Sequence, residues 1–268
     1  MPTGAPLMPK IKLKPDNLNQ RNAEFSQVPL KQPVFLNSVP KSGSHLQRNI
    51  MRMFAPVDQH YKPGFIQLPS MQEDRVAWDK DRPTLSWGHL LYSDNSAIAL
   101  KDTRKTLLVR DPYDWVLARA RFFMSEEFEG AVGHVSDHNV TAEQFLNLMI
   151  FGIHNKVPNL REIFIHNGVA WLHTDTLVLK FEDLIHNVKN LDEPEAEVFF
   201  RKLFDHCGID TPDDWRERVR VGSDKKQSGT ARENLTKIRM KLPDKLPDGQ
   251  KALIDFAVPG LRKALGYE

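Results

Sequence analysis

The chain has little cysteine, little excess charge and no long apolar run, and each shortage excludes a class of protein. Among its 268 residues there is one cysteine, Cys207, which excludes an intramolecular disulfide and fits a reducing compartment. The 37 lysines and arginines nearly balance the 35 aspartates and glutamates, and the formal net charge of +2 argues against a general nucleic-acid binder. No apolar stretch approaches the length of about 20 residues that a membrane helix needs.

These shortages predict a cytoplasmic protein without membrane or nucleic-acid partners. The N-terminal lysines are not followed by the apolar segment of a signal peptide. Residues 1–32 are rich in Pro, Lys, Asn and Gln and are predicted to form an extended N-terminal arm. The 40% hydrophobic content supports a full core, so residues 33–268 are expected to form one domain. The 10 histidines show no spacing typical of zinc sites, so no metal is expected.

Residues 33–54 are the most informative segment, because they have the pattern of a buried strand, a tight loop and an amphipathic helix. The strand is indicated by the apolar run at residues 34–36, and the helix by apolar residues at helical spacing after residue 45. A loop of this kind presents backbone N–H groups and a helix N-terminus to an anion. Lys41 comes before the loop's only glycine, Gly43, so the order is not that of a Walker loop. Further donors in the loop are Ser42, Ser44 and His45.

A second motif lies at residues 105–123, where an apolar strand runs into a helix. It contains Arg110, Asp111, Pro112 and Asp114. Pro112 suits the first turn of a helix, where its missing N–H costs nothing. An arginine at the carboxyl end of a parallel strand faces the crevice in which such folds bind ligands, and its planar fork suits a phosphate.

Together the two motifs resemble the signatures of sulfotransferases that use 3′-phosphoadenosine 5′-phosphosulfate (PAPS). The resemblance implies an α/β protein of three layers, α/β/α, with a central parallel sheet and a P-loop-like fold. It also implies that PAPS or its product PAP binds through Lys41 and Arg110, with Arg110 on the 3′-phosphate. His89 precedes the arginine motif at about the distance of the family's general base, and Lys41 would stabilise the leaving phosphate. The remaining loop positions that the resemblance assigns to the cofactor are Ser42, Gly43, Ser44, His45 and Leu46.

The resemblance extends to weaker motifs, several of which depart from the family pattern. Phe181 replaces the tyrosine of a strand-ending motif, and Leu46 replaces the tryptophan that stacks on adenine. Ala118 replaces a serine that shares the 3′-phosphate, and Arg119 or Arg121 is a candidate to compensate. A degenerate form of the last cofactor motif is assigned to Ser228, Gly229 and Arg232, and Trp87 and Tyr92 are assigned to the acceptor cleft.

The predicted function is therefore sulfuryl transfer from PAPS to a hydroxyl or an amine of a small-molecule acceptor, without a metal. Two alternatives stay open. A nucleotide-dependent kinase on the same fold would require ATP and magnesium. The absence of the Walker order argues against this alternative. A non-catalytic relative that binds PAP or another nucleotide would explain the departures at Leu46, Ala118 and Phe181.

The coarse reading of secondary structure places these motifs on an alternation of strands and helices, which predicts a parallel sheet. Helices are predicted over residues 112–128, 158–172, 193–207 and 249–257. Thr141 and Gln144 have the spacing of a capping box at the start of a further helix. Residues 55–88, with several prolines, are predicted to be mainly loop.

Overall fold

The computed structural model describes residues 10–11, 15–129, 135, 140–228 and 231–268, and these group into two compact units. The sheet unit consists of residues 16–110 and 166–227, and the helical unit of the described parts of residues 1–15, 111–165 and 228–268. The single domain that the sequence predicts over residues 33–268 stays a prediction. None of the helices in the described ranges combines the length and the apolar character needed to span a bilayer.

The sheet unit is built on five parallel strands, each paired in parallel with its neighbours. They are β2 (Val34–Ser38), β3 (His60–Gln67), β4 (Leu85–His89), β5 (Arg104–Val109) and β7 (Leu177–Lys180). Their spatial order is β3-β4-β2-β5-β7, so β2 is central. Because a parallel sheet is covered on both faces, β2 reads as a continuous buried run rather than an alternating one, and all of its residues are buried.

The helices of the sheet unit pack their apolar faces against these strands and against one another. Gly222 permits a close approach between two of them, because a Cβ at this position would lie 2.5 Å from the Cα of Ile50. Gly208 adopts the left-handed conformation that ends the longest helix, as the sequence predicts. The helices are α1 (Leu18–Asn22), α2 (Ser44–Met51), α3 (Asp94–Ala99), α7 (Phe181–Lys189), α8 (Pro194–Cys207) and α9 (Trp215–Ser223).

Residues 16–32 differ from the extended arm that the sequence predicts. Leu18 and Leu30 are buried in the main hydrophobic cluster of the sheet unit. The side-chain amide of Asn22 donates to the carbonyl oxygens of Arg52 and Ala55 at 2.6 and 3.0 Å. This segment therefore contributes to the core, and its polar composition misleads because two leucines, Leu18 and Leu30, are enough to anchor it.

Residues 55–88 contain two strands, β3 and most of β4, where the sequence predicts mainly loop. In β3 the residues Pro63 and Gly64 suppress the strand signal. Proline is tolerated here because β3 is an edge strand, and the register between β3 and β4 is irregular from His60 to Phe65. The prediction of loop is wrong for these residues, because it weighed local breakers and ignored the edge position.

The helical unit contains the remaining elements. These are β1 (Lys10–Ile11), α4 (Pro112–Phe123), β6 (Phe128–Glu129), α5 (Ala142–Phe151), most of α6 (Leu160–Asn167), α10 (Asp248–Ala257) and α11 (Leu261–Ala264). Strands β1 and β6 pair antiparallel. The predicted capping box of Thr141 and Gln144 is confirmed at the start of α5. Pro112 stands in the first turn of α4 as predicted, and the capping residue Asp111 is held by Arg262 at 3.0 Å.

The predicted α/β class is confirmed as a central parallel five-stranded sheet with flanking helices. The predicted helix over residues 158–172 is shorter, because α6 ends at Asn167 and a separate 3-10 turn follows. The predicted helix over residues 112–128 likewise ends at Phe123. What positions the functional residues is the carboxyl edge of the sheet.

Candidate active site

Four neighbouring strands end beside one another and carry the predicted site residues. The neighbouring strands are β4, β2, β5 and β7. Their carboxyl ends carry, in the same order, His89, the loop after Ser38, Arg110 and Phe181. The register is aligned at this edge, because Ser38 pairs with Leu108. Ligands of open α/β sheets bind outside the carboxyl ends of the strands, so this edge is the candidate active site.

The loop between β2 and α2 has a backbone conformation that L residues rarely adopt. Lys41 has φ of 67° and Gly43 has φ of 96°, both in the left-handed region. A lysine in this region costs roughly 1 kcal/mol or more, and such strain is concentrated at functional sites. Gly43 caps α2 without a side-chain bond, and its carbonyl oxygen accepts from the N–H groups of Leu46 and Gln47 at 3.0 and 3.3 Å. The preceding N–H groups of Ser44 and His45 have no partner within the helix. The loop therefore presents an anion-binding helix N-terminus.

Phe181 joins this loop to Arg110. A Cβ on Gly43 would lie 2.4 Å from Cδ2 of Phe181, so only glycine permits the ring to pack on the loop. On the other side, the guanidinium carbon of Arg110 lies 4.5 Å from the centre of the same ring. Phe181 thus fixes the arginine beside the loop by a cation–π contact, although it lacks the hydroxyl of the family's tyrosine.

Lys41 and Arg110 are close enough that each charge affects the other. Burial lowers the pKa of the Lys41 ammonium from 10.5 to about 7, and the charge of Arg110 contributes to the same shift. Two basic side chains held together at this edge favour a ligand with several negative charges, which is the electrostatic character expected of a nucleotide-phosphate site.

His89 ends β4, and its ring orientation is fixed by β2. Its Nδ1 lies 2.9 Å from the carbonyl oxygen of Ser38 and 3.0 Å from the Oγ of Ser38. Since a carbonyl oxygen only accepts, Nδ1 carries the proton in this contact and the lone pair of the neutral ring is on Nε2. Desolvation lowers the pKa of His89 to about 4, partly opposed by the bond to Ser38 and reinforced by the charge of Lys41. The imidazole is therefore neutral at pH 7 and able to accept a proton at Nε2.

Sequence reasoning missed the two residues that hold this arrangement, Asn37 and Ser38. The Asn37 side chain accepts from the N–H of Leu90 at 2.9 Å and donates to its carbonyl oxygen at 3.2 Å. Asn37 is buried, so these bonds clamp the end of β4 to β2. The available signal was a polar pair that follows the apolar run at residues 34–36 of the same strand.

Trp87 and His45 lie together, and Phe65 joins Trp87 to His89. The ring of His45 packs edge-on against Trp87 at 5.0 Å, and its pKa is lowered to about 3, first by burial and then by Lys41. The capping position of α2 belongs to Gly43, so His45 lies within the first turn of the helix. Phe65, which sequence reasoning missed, packs edge-on against both Trp87 at 5.0 Å and His89 at 4.7 Å.

Two further predicted residues lie at the margin of the sheet unit. Tyr92 is 37% exposed and packs edge-on against Trp171 at 5.0 Å, three residues beyond His89. Leu46 packs against the main hydrophobic cluster. The aliphatic side chain of Leu46 therefore packs against the core and has no aromatic face with which to replace the tryptophan that stacks on adenine in the family pattern.

The last predicted motif belongs to the helical unit. There Ser228 accepts a bond from Asn234 through its carbonyl oxygen, and Arg232 pairs with Asp244 at 2.9 Å. Gly229 lies outside the described residues. The guanidinium of Arg119 donates to the carbonyl oxygens of Met149 and Pro158 at 2.9 and 2.8 Å.

These bonds give no support to compensation for Ala118 by the neighbouring arginines. Arg121 likewise donates to the carbonyl oxygen of Pro243 at 2.9 Å. Both guanidinium groups are engaged with backbone of the helical unit, so a contact with the 3′-phosphate in place of the usual serine lacks a structural basis.

The loop fits a phosphate-bearing ligand. The Oγ of Ser42 is buried and has no hydrogen-bond partner within the described part of the chain, a cost that a bound oxyanion would remove. The same described ranges contain no group of three or more His, Cys, Asp or Glu residues arranged to hold a metal ion. The donor set of this edge, which consists of N–H, hydroxyl, ammonium and guanidinium groups, is suited to anions.

Solved structures that match this chain include two with bound PAP. Retinol dehydratase in complex with androsterone and inactive cofactor PAP matches with a TM-score of 0.54 and 15% identity, over 88% of this chain and 82% of that chain. Mouse sulfotransferase SULT7A1 complexed with PAP matches with a TM-score of 0.47 and 16% identity, over 78% and 68% of the two chains. No protein-family model and no curated protein matches the sequence. The first likeness establishes the fold: the chain has the P-loop-like α/β fold with a central parallel sheet that its motifs predict.

Proposed function

We propose that the protein is a sulfotransferase that moves a sulfuryl group from PAPS to a hydroxyl or an amine of a small-molecule acceptor. The observation that carries the proposal is that Lys41, His89 and Arg110 end or follow the neighbouring strands β2, β4 and β5 and lie at one edge of the sheet. The fold likeness to a PAP-bound protein supports it. A neutral histidine whose neighbour is Lys41 suits proton removal next to a polyanion.

In the proposed mechanism, each residue has one task. PAPS, when bound, supplies the sulfuryl group, whose S–O bond to the 5′-phosphate breaks as the bond from sulfur to the acceptor forms. Nε2 of His89 accepts the proton of the acceptor hydroxyl. Lys41 and the first-turn N–H groups of α2 stabilise the negative charge that develops on the leaving phosphate. Arg110, held by Phe181, binds the 3′-phosphate, and no step requires a metal.

Calorimetric titration of PAP, and separately of ATP with magnesium, tests the ligand class. We expect PAP to bind and ATP to bind much more weakly, because ATP lacks the 3′-phosphate that Arg110 is proposed to read. Binding of ATP with indifference to PAP would overturn the proposal and revive the kinase. Binding of PAP with no turnover of PAPS on a broad acceptor panel would instead favour the non-catalytic relative.

A second expected result concerns the proton on Lys41. Because burial lowers its pKa to about 7, the amine is largely neutral at pH 8, and a bound polyanion favours the charged form. PAP binding at pH 8 should therefore take up about one proton, and affinity should fall as the pH rises above 7. Titration in two buffers of different ionisation enthalpy measures the uptake. Lys41→Met should abolish it, and an equal uptake in this variant would refute the assignment to Lys41.

A further inference from the structure

Arg48 is a cation of this edge to which the sequence motifs assign no role. It lies on α2 one turn after His45, and both side chains contact the indole of Trp87. The guanidinium carbon of Arg48 lies 4.7 Å from the indole centre. Trp87 and His89 are two residues apart on β4, so their side chains lie on the same face of the sheet, and Phe65 packs against both. Arg48 is therefore connected to the proposed base through two aromatic side chains, Trp87 and Phe65.

The guanidinium of Arg48 lacks the partner that a partly buried arginine normally has. Within the residues that the structure describes, it makes no hydrogen bond and no ion pair. The carboxylate of Asp16, whose charge acts on it, is already bonded to Arg52 at 2.9 and 3.1 Å. Burial, together with the charge of Arg52, lowers the pKa of Arg48 to about 10. Arg48 is half-buried, and its guanidinium donors have no protein acceptor within the described residues, so they are available to a ligand oxyanion.

We propose that Arg48 is a further anion-binding residue of the candidate active site, whose guanidinium contacts an oxyanion carried by a bound substrate. Two sources share this chemistry, namely the sulfuryl group of the donor and an acidic group on the acceptor. The inference rests on the proposed function, since it identifies a specificity-determining residue for that reaction. The cation–π contact with Trp87 holds the guanidinium in place without using its donors.

The test compares Arg48→Met with Arg82→Met, which removes the same charge from an exposed position of the sheet unit. If Arg48 contacts the sulfuryl group, Arg48→Met weakens PAPS about 10- to 100-fold and leaves PAP, which lacks this group, unchanged. If it contacts an acidic group of the acceptor, the variant lowers the affinity of the PAP complex for 4-hydroxybenzoate relative to the neutral 4-hydroxybenzamide by a similar factor. Arg82→Met should change neither the affinity ratio of PAPS to PAP nor that of 4-hydroxybenzoate to 4-hydroxybenzamide. If Arg48→Met also leaves both ratios unchanged, the proposal is overturned.

Thermal unfolding separates this role from a purely structural one. Since Arg48 lacks a protein partner for its donors, Arg48→Met should melt at the same temperature as the wild type or at a higher one. Loss of stability with both affinity ratios unchanged would mean that Arg48 only packs on Trp87. Arg48→Lys, which keeps the charge but loses the fork, should recover part of the affinity.

The test also distinguishes failure of this inference from failure of the proposed function. If the wild type binds neither PAP nor PAPS, the proposed function fails, and sodium sulfate becomes the probe of Arg48. A smaller rise of melting temperature with sulfate in Arg48→Met than in Arg82→Met supports the inference. Equal rises in the two variants overturn it.

Discussion

Replacement of His89 by alanine is expected to lower turnover by about 10²- to 10⁴-fold while PAP binds with the affinity of the wild type. The imidazole is the group at this edge that is neutral at pH 7 and has its Nδ1 proton committed to Ser38, which leaves Nε2 to accept a proton. Its removal leaves Lys41 and Arg110, the proposed phosphate-binding residues, in place. Single-turnover rates with PAPS and an acceptor found by screening, together with PAP calorimetry, measure the two effects separately.

The matched control is Ser38→Ala, which deletes the Oγ contact at 3.0 Å and retains the backbone carbonyl that accepts from Nδ1 at 2.9 Å. The tautomer is preserved, so the loss should stay below about tenfold. The pKa of about 4 also predicts that wild-type activity persists on acidification until the pH approaches that value, because only the neutral ring accepts the proton. Full turnover by His89→Ala in a chain that still binds PAP would exclude His89 as the base.

The parts of this site that the sequence predicts are those that local chemistry determines. The loop at Lys41 and Gly43 is predicted by the succession of an apolar strand, a Pro- and Gly-containing turn and an amphipathic helix. Its left-handed residues follow from that tight turn. Pro112 marks the first turn of α4 because its missing N–H is harmless there. Placing Arg110 at the carboxyl end of β5 requires only that the preceding run be a parallel strand. Each of these inferences needs neighbours within a few residues.

The parts that sequence reasoning missed depend on pairing between distant segments. Strand β3 is visible only once its edge position is known, since Pro63 and Gly64 contradict a central strand. Ser38 becomes significant because β4 pairs beside β2 and carries His89 to it. In the sequence, Arg48 looks like any solvated cation on a helix. Only the structure shows that its guanidinium packs on Trp87 and has no acceptor among the described residues. Tertiary context, rather than propensity, assigns these residues.

The departures from the family pattern have different structural weight. Phe181 still performs a positioning task, because its ring is packed between Gly43 and Arg110. Leu46 packs against the hydrophobic cluster, so the adenine of the proposed ligand would have to be bound by other contacts. Loss of the stacking tryptophan concentrates the expected binding energy on the phosphates, which raises the importance of Arg110.

Replacement of Arg110 by alanine is therefore expected to weaken PAP by about 10- to 150-fold, the effect of removing a charge-assisted hydrogen-bonding group. Its guanidinium lies 4.5 Å from the ring centre of Phe181, so its orientation is fixed before the ligand arrives. Calorimetry with PAP and with AMP, which lacks the 3′-phosphate, measures the specific part of the loss. The affinity for AMP should change little, and the preference for PAP over AMP should nearly disappear.

Arg110→Lys and Phe181→Leu divide this effect into its causes. The lysine keeps the charge but loses the planar fork and its stacking, so intermediate PAP affinity is expected. The leucine removes the platform under an unchanged arginine, and its PAP affinity should fall without a change in net charge. If Arg110→Ala weakened PAP and AMP equally, the arginine would act through the general potential of the site. The 3′-phosphate would then be bound elsewhere, because a direct contact must distinguish a ligand that has this group from one that lacks it.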